Sequence, residues 1–237
     1  MEFLTSGEAW VALLTLTVLE IVLGVDNIVF VSILSGKLPK EQQPRARTMG
    51  LALAMGTRIL LLLSLSWVMS LNQALFTIGE HGVGGRDLIL FTGGLFLLWK
   101  STREIHERLE GPEEEHLTGK KQYSFVGVLV QIALLDIVFS LDSVITAVGM
   151  AKHVEVMILA IVIAVIFMMF TSGTVSAFID KHPTIKILAL SFLLLIGMAL
   201  VAESFHQAVP KGYIYFAMGF SVFVEILNLR MRKSGSR

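Results

Sequence analysis

The sequence predicts an all-α polytopic membrane protein with seven transmembrane helices, built as two inverted three-helix repeats plus one extra helix. Three observations carry that expectation. The 237 residues are 54% hydrophobic and only 16% charged, against about 25% charged in soluble domains, and the mean hydropathy is +0.75. Residues 59–79 and 156–179 contain no Asp, Glu, Lys or Arg, and each run is long enough to cross roughly 30 Å of hydrocarbon as a helix. The charge that remains gathers between the apolar runs, with Lys and Arg favouring alternate connections.

Taken in order, the spans fall at about 9–34, 48–71, 88–102, 124–150, 156–179, 184–204 and 212–229. The third is the shortest, and a continuous helix through Arg103 to Leu109 would carry it beyond the membrane. Lys37, Lys40, Arg45 and Arg47 follow the first span. Lys100, Arg103, Arg108, Lys120 and Lys121 follow the third, Lys181 and Lys186 the fifth, and Arg230, Arg232, Lys233 and Arg237 the seventh. The opposite side carries Arg86, Lys152 and Lys211. Fifteen basic residues against three place the N-terminus outside and the C-terminus in the cytoplasm. An extra or missing span would scramble that separation. Residues 1–8 lack the basic region of a cleavable signal peptide, so the first apolar segment is expected to stay in the membrane.

The composition also excludes chemistry. Net charge is zero and there is no cysteine, so nothing points to nucleic acid, and disulfides, thiolate metal sites and thiol catalysis are ruled out. No phosphate-binding loop or His-Glu-x-x-His motif is present. The linker holds Glu113, Glu114 and Glu115 beside His116 and reads as a solvated connection rather than a metal-collecting loop.

An internal repeat supplies the candidate site. The first span contains Leu19-Glu20-Ile21-Val22-Leu23-Gly24-Val25-Asp26-Asn27. The fourth contains Leu135-Asp136-Ile137-Val138-Phe139-Ser140-Leu141-Asp142-Ser143. Two acidic residues at matching spacing recur in both halves, although an ionisable group in lipid is costly. Each half has three spans, so the halves must be inverted, a recurring plan for transporters with a site at the repeat interface. On this reading 1–108 is the first repeat, 109–123 a charged cytoplasmic linker, 124–208 the second repeat, and 209–237 the seventh helix with a basic tail.

The expected metal ligands are Glu20, Asp26, Asn27, Asp136, Asp142 and Ser143. All offer oxygen, which suits Mg²⁺, Ca²⁺ and Mn²⁺ better than Zn²⁺ or Cu⁺. Six residues of helix turn by about 600°, so the paired acids lie roughly 120° apart. Gly24 and Ser140 between them would permit a local break or a close helix approach. The plainer alternative is a set of protonated carboxyls holding helices together. Arg58, inside the second span, is a candidate counter-charge, the alternative being an ordinary structural ion pair. Glu203 with His206, and Glu225 with Asn228, are secondary candidates for gates or vestibule metal ligands, with interfacial placement as the simpler account. Met168 and Met169 read as packing.

These residues resemble the TerC family of bacterial membrane proteins, in its YgdQ-like branch. The resemblance spans nearly the whole chain and includes a third motif, Pro210-Lys211-Gly212-Tyr213-Ile214-Tyr215-Phe216-Ala217-Met218. It implies a seven-span protein of the bacterial inner membrane and Mn²⁺ export, with tellurite resistance as the origin of the family name. The expectation is therefore a divalent metal cation transporter with no prosthetic group, its partners being the lipid bilayer, the transported ion and protons. Four carboxylates facing one cavity cannot all stay ionised without cations, which favours exchange of metal for protons. Two alternatives stand beside it: a membrane scaffold or metal-delivery partner for exported proteins, and a tellurium-resistance-associated membrane protein. An enzyme is not expected: intramembrane aspartyl proteases use Gly-x-Gly-Asp, whereas this chain has Leu-Gly-Val-Asp and Phe-Ser-Leu-Asp.

Overall fold

A computed structural model of the chain describes residues 7–64, 69, 74–78, 81–110, 123–150, 154–207 and 209–234. The side chains of 25, 26, 74, 78, 81, 142–150, 211 and 232–234 lie outside that description. The described residues form seven long helices, α1 (Gly7–Ser35), α2 (Gln43–Leu63), α3 (Gly85–Leu109), α4 (Phe125–Met150), α5 (Val154–Lys181), α6 (Pro183–Ser204) and α7 (Lys211–Ser234). Helices α1, α2, α5, α6 and α7 are long and apolar enough to cross a membrane. Helix α4 is 26 residues long and α3 is 25.

The helix boundaries have local causes. Pro44 and Pro183 lie in the first turns of α2 and α6, where a missing N–H costs nothing. Gln43 turns back on the end of α1, its Nε2 donating to the carbonyls of Leu38 (2.9 Å) and Gly36 (3.4 Å). Helix α6 ends in a Schellman motif. Gln207 N donates to Ala202 O and His206 N to Glu203 O, with His206 at φ 59° in the left-handed position usually given to glycine. Helix α3 does run through Arg103 to Leu109. Its polar end carries i,i+4 pairs, Arg103 with Glu107 and Glu104 with Arg108, which support a helix that has left the apolar phase.

One element is not in the sequence reading. Strands β1 (Ala74–Ile78) and β2 (His81–Gly84) form an antiparallel hairpin before α3, with Ile78 opposite His81. Those residues were expected to connect spans two and three. A short apolar run such as Ala74-Leu75-Phe76 reads alike as strand or helix end, so periodicity could not find it.

The chain forms two compact units. One comprises Met1–Gly84 and Lys120–Phe178, and the other Gly85–Gly119 and Ile179–Arg237. In the first, α2 and α4 pack side by side. A Cβ on Gly50 would lie 2.8 Å from Ile132 Cδ1, so that glycine is where the two helices meet. In the second, α3 and α6 pack antiparallel. Gly94 faces Gly197, Phe91 meets Phe205 edge-on at 5.7 Å, Arg86 pairs with Glu203, and Asp87 lies 3.4 Å from His206. A Cβ on Gly94 would stand 2.8 Å from the Gly197 carbonyl oxygen, and one on Gly197 3.1 Å from that of Gly94. Two backbones approach this closely only where both residues are small. Each unit draws helices from both halves of the sequence.

Candidate functional site

Glu20 lies near the middle of α1, about 20 Å from either end at 1.5 Å per residue, and Asp136 lies near the middle of α4. Both are buried, at 8% and 3% exposure. An isolated carboxylate at such depth is costly, and the fold supplies a partner from α2. Arg58, itself 3% exposed, donates from Nη1 to Glu20 Oε2 at 2.6 Å and from Nε to Asp136 Oδ1 at 3.1 Å. One guanidinium therefore bridges the first acidic residues of the two matching motifs.

Asp136 is the most fully satisfied member. Its Oδ1 also accepts from Asn27 Nδ2 at 3.0 Å, and its Oδ2 accepts from Thr57 Oγ1 at 2.9 Å. Its own backbone carbonyl accepts from the hydroxyl of Ser140 at 2.6 Å. One carboxylate thus ties α1, α2 and α4 together. Helical periodicity explains the α1 contribution. Glu20 and Asn27 are seven residues apart and lie within roughly 20° of one face. Both can reach the same neighbours.

The backbone at Gly24 and Ser140 settles one expectation. Both helices run unbroken through these positions, so neither residue makes a break. Gly24 serves close approach: a Cβ there would lie 2.5 Å from Met168 Sδ. Ser140, fully buried, turns its hydroxyl onto the preceding turn of its own helix.

Of the six residues expected as ligands, the structure brings together Glu20, Asn27 and Asp136. The side chains of Asp26, Asp142 and Ser143 lie outside the described residues, as does the linker with Glu113 to His116. Arg58, a secondary candidate from sequence, is the centre of the cluster. Thr57 was missed; its only signal was a hydroxyl beside an intramembrane Arg. Glu203 and Glu225 belong to the second compact unit. Glu203 pairs with Arg86, and Glu225 accepts from Asn228 Nδ2 at 3.4 Å. Among the described residues, no group of three or more His, Cys, Asp or Glu side chains is placed to hold a metal ion. The described centre is two carboxylates, an amide and a hydroxyl organised around an arginine.

Membrane-length helices with a charged centre buried near the middle of α1 and α4 define the class: a polytopic helical membrane protein in which these ionisable groups face protein. Within that class, the chain belongs to the integral membrane protein TerC family, whose model matches residues 5–237. The chain is similar to a UPF0053 protein of Haemophilus influenzae, at 59% identity over 232 residues and 98% of each chain. It is also similar to the UPF0053 inner membrane protein YgdQ of Escherichia coli K12, at 55% identity over 231 residues, 98% of this chain and 97% of that one. The UPF0053 inner membrane protein YoaE of the same strain is 50% identical over 234 residues, which is 99% of this chain and 45% of that longer protein. No solved structure matches significantly. The resemblance carried by the acidic motifs holds over the whole chain.

Proposed function

We propose that this protein carries divalent cations across the bacterial inner membrane, with outward movement of Mn²⁺ as the favoured case. The observation that carries the proposal is the convergence of Glu20 and Asp136, from the two matching motifs, on Arg58 at mid-depth. A purely structural helix contact needs neither two acids nor a guanidinium, since apolar packing of the same volume is often as stable. In this reading Arg58 is the counter-charge of the cation-free protein. An arriving divalent ion takes the carboxylates, and Arg58 withdraws.

Glu20, Asp136, the Asn27 carbonyl and the Thr57 hydroxyl supply oxygen donors, joined in the proposal by Asp26, Asp142 and Ser143. Oxygen donors suit Mn²⁺, Mg²⁺ and Ca²⁺. The inner-membrane location follows the relatives named as inner membrane proteins. The distribution of Lys and Arg supports an external N-terminus and a cytoplasmic C-terminus.

Inverted repeats would let the site open to either side in turn. Two features support that division. The compact units keep equivalent helices together, α1 and α2 with α4 and α5, and α3 with α6. The α3–α6 contact is also reciprocal, each glycine meeting the other's carbonyl oxygen. Protons are the proposed counter-ion, because one guanidinium cannot balance all the carboxylates of the site once the cation has left, and a buried charge without a partner is neutralised by protonation.

The test is Mn²⁺ flux in proteoliposomes under an imposed pH gradient with the membrane potential clamped. Flux that follows the gradient and is abolished by Glu20→Gln and Asp136→Asn is the expected result. No flux of Mn²⁺, Mg²⁺ or Ca²⁺ would reject transport in favour of a scaffold. Flux indifferent to the gradient would reject proton exchange alone.

A further inference from the structure

Resting on the transport reading, we infer that Met168 is a specificity-determining residue of this site, its thioether favouring softer divalent cations, Mn²⁺ and more strongly Cd²⁺, over Mg²⁺ and Ca²⁺. From sequence Met168 read as packing. Its position says more. A Cβ on Gly24 would lie 2.5 Å from Met168 Sδ and 3.0 Å from Cε. The sulfur therefore occupies the space that any other residue at position 24 would fill.

That space borders the stretch of α1 that carries Glu20 and Asn27. Gly24 lies between Glu20 and Asn27, about 6 Å along the helix axis from the first and about 4.5 Å from the second. It is within roughly 40° and 60° of them around α1. Glu20 and Asn27 use this face to reach Arg58 and Asp136. Met168 thus brings its sulfur to α1 at a depth between the two α1 members of the cluster, and it is 1% exposed.

Packing alone does not require the arrangement. Glycine in a helix interior is destabilising, and alanine at 24 with a shorter side chain at 168 would fill the same volume. What glycine permits is the approach of sulfur. The remaining donors in the cluster are oxygen, and the chain has no cysteine, so Met168 is the soft donor on this face of α1. Three rotatable bonds let a methionine sulfur shift onto an ion without backbone movement. A thioether contributes little to Mg²⁺ or Ca²⁺, which favour oxygen donors, and more to polarisable ions.

The experiment compares wild type, Met168→Leu and Met168→Gln in proteoliposomes. Leu keeps the volume and removes the sulfur; Gln replaces it with an oxygen donor. The inference expects the ratio of Mn²⁺ to Mg²⁺ flux to fall about tenfold in Met168→Leu, and Cd²⁺ to become an about tenfold weaker inhibitor of Mn²⁺ flux. In Met168→Gln the ratio should fall further as Mg²⁺ gains. Thermal stabilisation of the solubilised variants by Cd²⁺ against Mg²⁺ reads the same preference without turnover, so a variant that no longer transports still gives an answer. Wild-type ratios and wild-type Cd²⁺ sensitivity in both variants would overturn the role of Met168 and leave transport standing. Absence of any divalent flux or metal-dependent stabilisation in wild type would overturn both.

Discussion

Replacing Arg58 by Leu tests whether the guanidinium is the counter-charge of the site. The substitution removes charge-assisted hydrogen bonds of 2.6 Å to Glu20 and 3.1 Å to Asp136, both buried. Bonds to charged groups contribute about 1.5–3 kcal/mol each. Removing one partner of a buried ion pair costs about 3–5 kcal/mol, because the other charge is left uncompensated. The two figures agree on a loss near 4 kcal/mol. For a chain of this length, about 2–4 °C per kcal/mol makes that a fall in Tm on the order of 10 °C. The assay is thermal unfolding in detergent, comparing Arg58→Leu with the triple variant Glu20→Gln, Arg58→Leu, Asp136→Asn. Neutralising all three groups should recover most of the loss. A divalent cation that replaces the guanidinium should also stabilise Arg58→Leu, by about 2.7 kcal/mol at a hundredfold excess over its Kd, and stabilise wild type by less. An Arg58→Leu protein as stable as wild type would refute the reasoning. Equal stabilisation of both proteins by cation would refute the idea that Arg58 and the ion compete.

The remaining predictions concern topology, the other two acids and the glycine contact. A single cysteine placed at Lys152 or Lys211 should react with an impermeant thiol reagent in intact cells, and one at Lys120 or Lys181 should not; labelling at Lys120 would overturn the external N-terminus. Asp26→Asn and Asp142→Asn should insert normally yet abolish cation transport, because a divalent ion needs anionic ligands to replace its water, whereas Glu113→Gln should be nearly silent; unchanged metal tolerance in cells carrying either Asp variant would count against their place in the site. Gly94→Val should destabilise the protein by about 1–3 kcal/mol through overpacking, since its Cβ would meet the Gly197 carbonyl oxygen at 2.8 Å. Unfolding in detergent reads this, and a wild-type Tm would show that α3 and α6 separate freely.

The sequence alone determined the class, the number and approximate bounds of the helices, and the family. Those properties follow from local composition. A helix in lipid must satisfy its backbone internally, so a long apolar run has one outcome wherever it packs. The duplicated acidic motif was legible for a similar reason, since ionisable residues are too costly in lipid to be scattered. The hairpin at 74–84 was not legible, because a short apolar run has no period that separates strand from helix end. Nor was the partnership inside the site. The sequence offered Arg58 as a candidate counter-charge, but nothing in it could say that Arg58 would bridge Glu20 to Asp136 or that Asn27 would join them. It gave no sign that Thr57 would complete Asp136 or that Met168 would lay its sulfur on Gly24. Those contacts join residues up to 144 positions apart and depend on which faces of α1, α2, α4 and α5 turn toward one another. Helices that are apolar all round carry no stripe to fix that rotation, so only packing in three dimensions decided it.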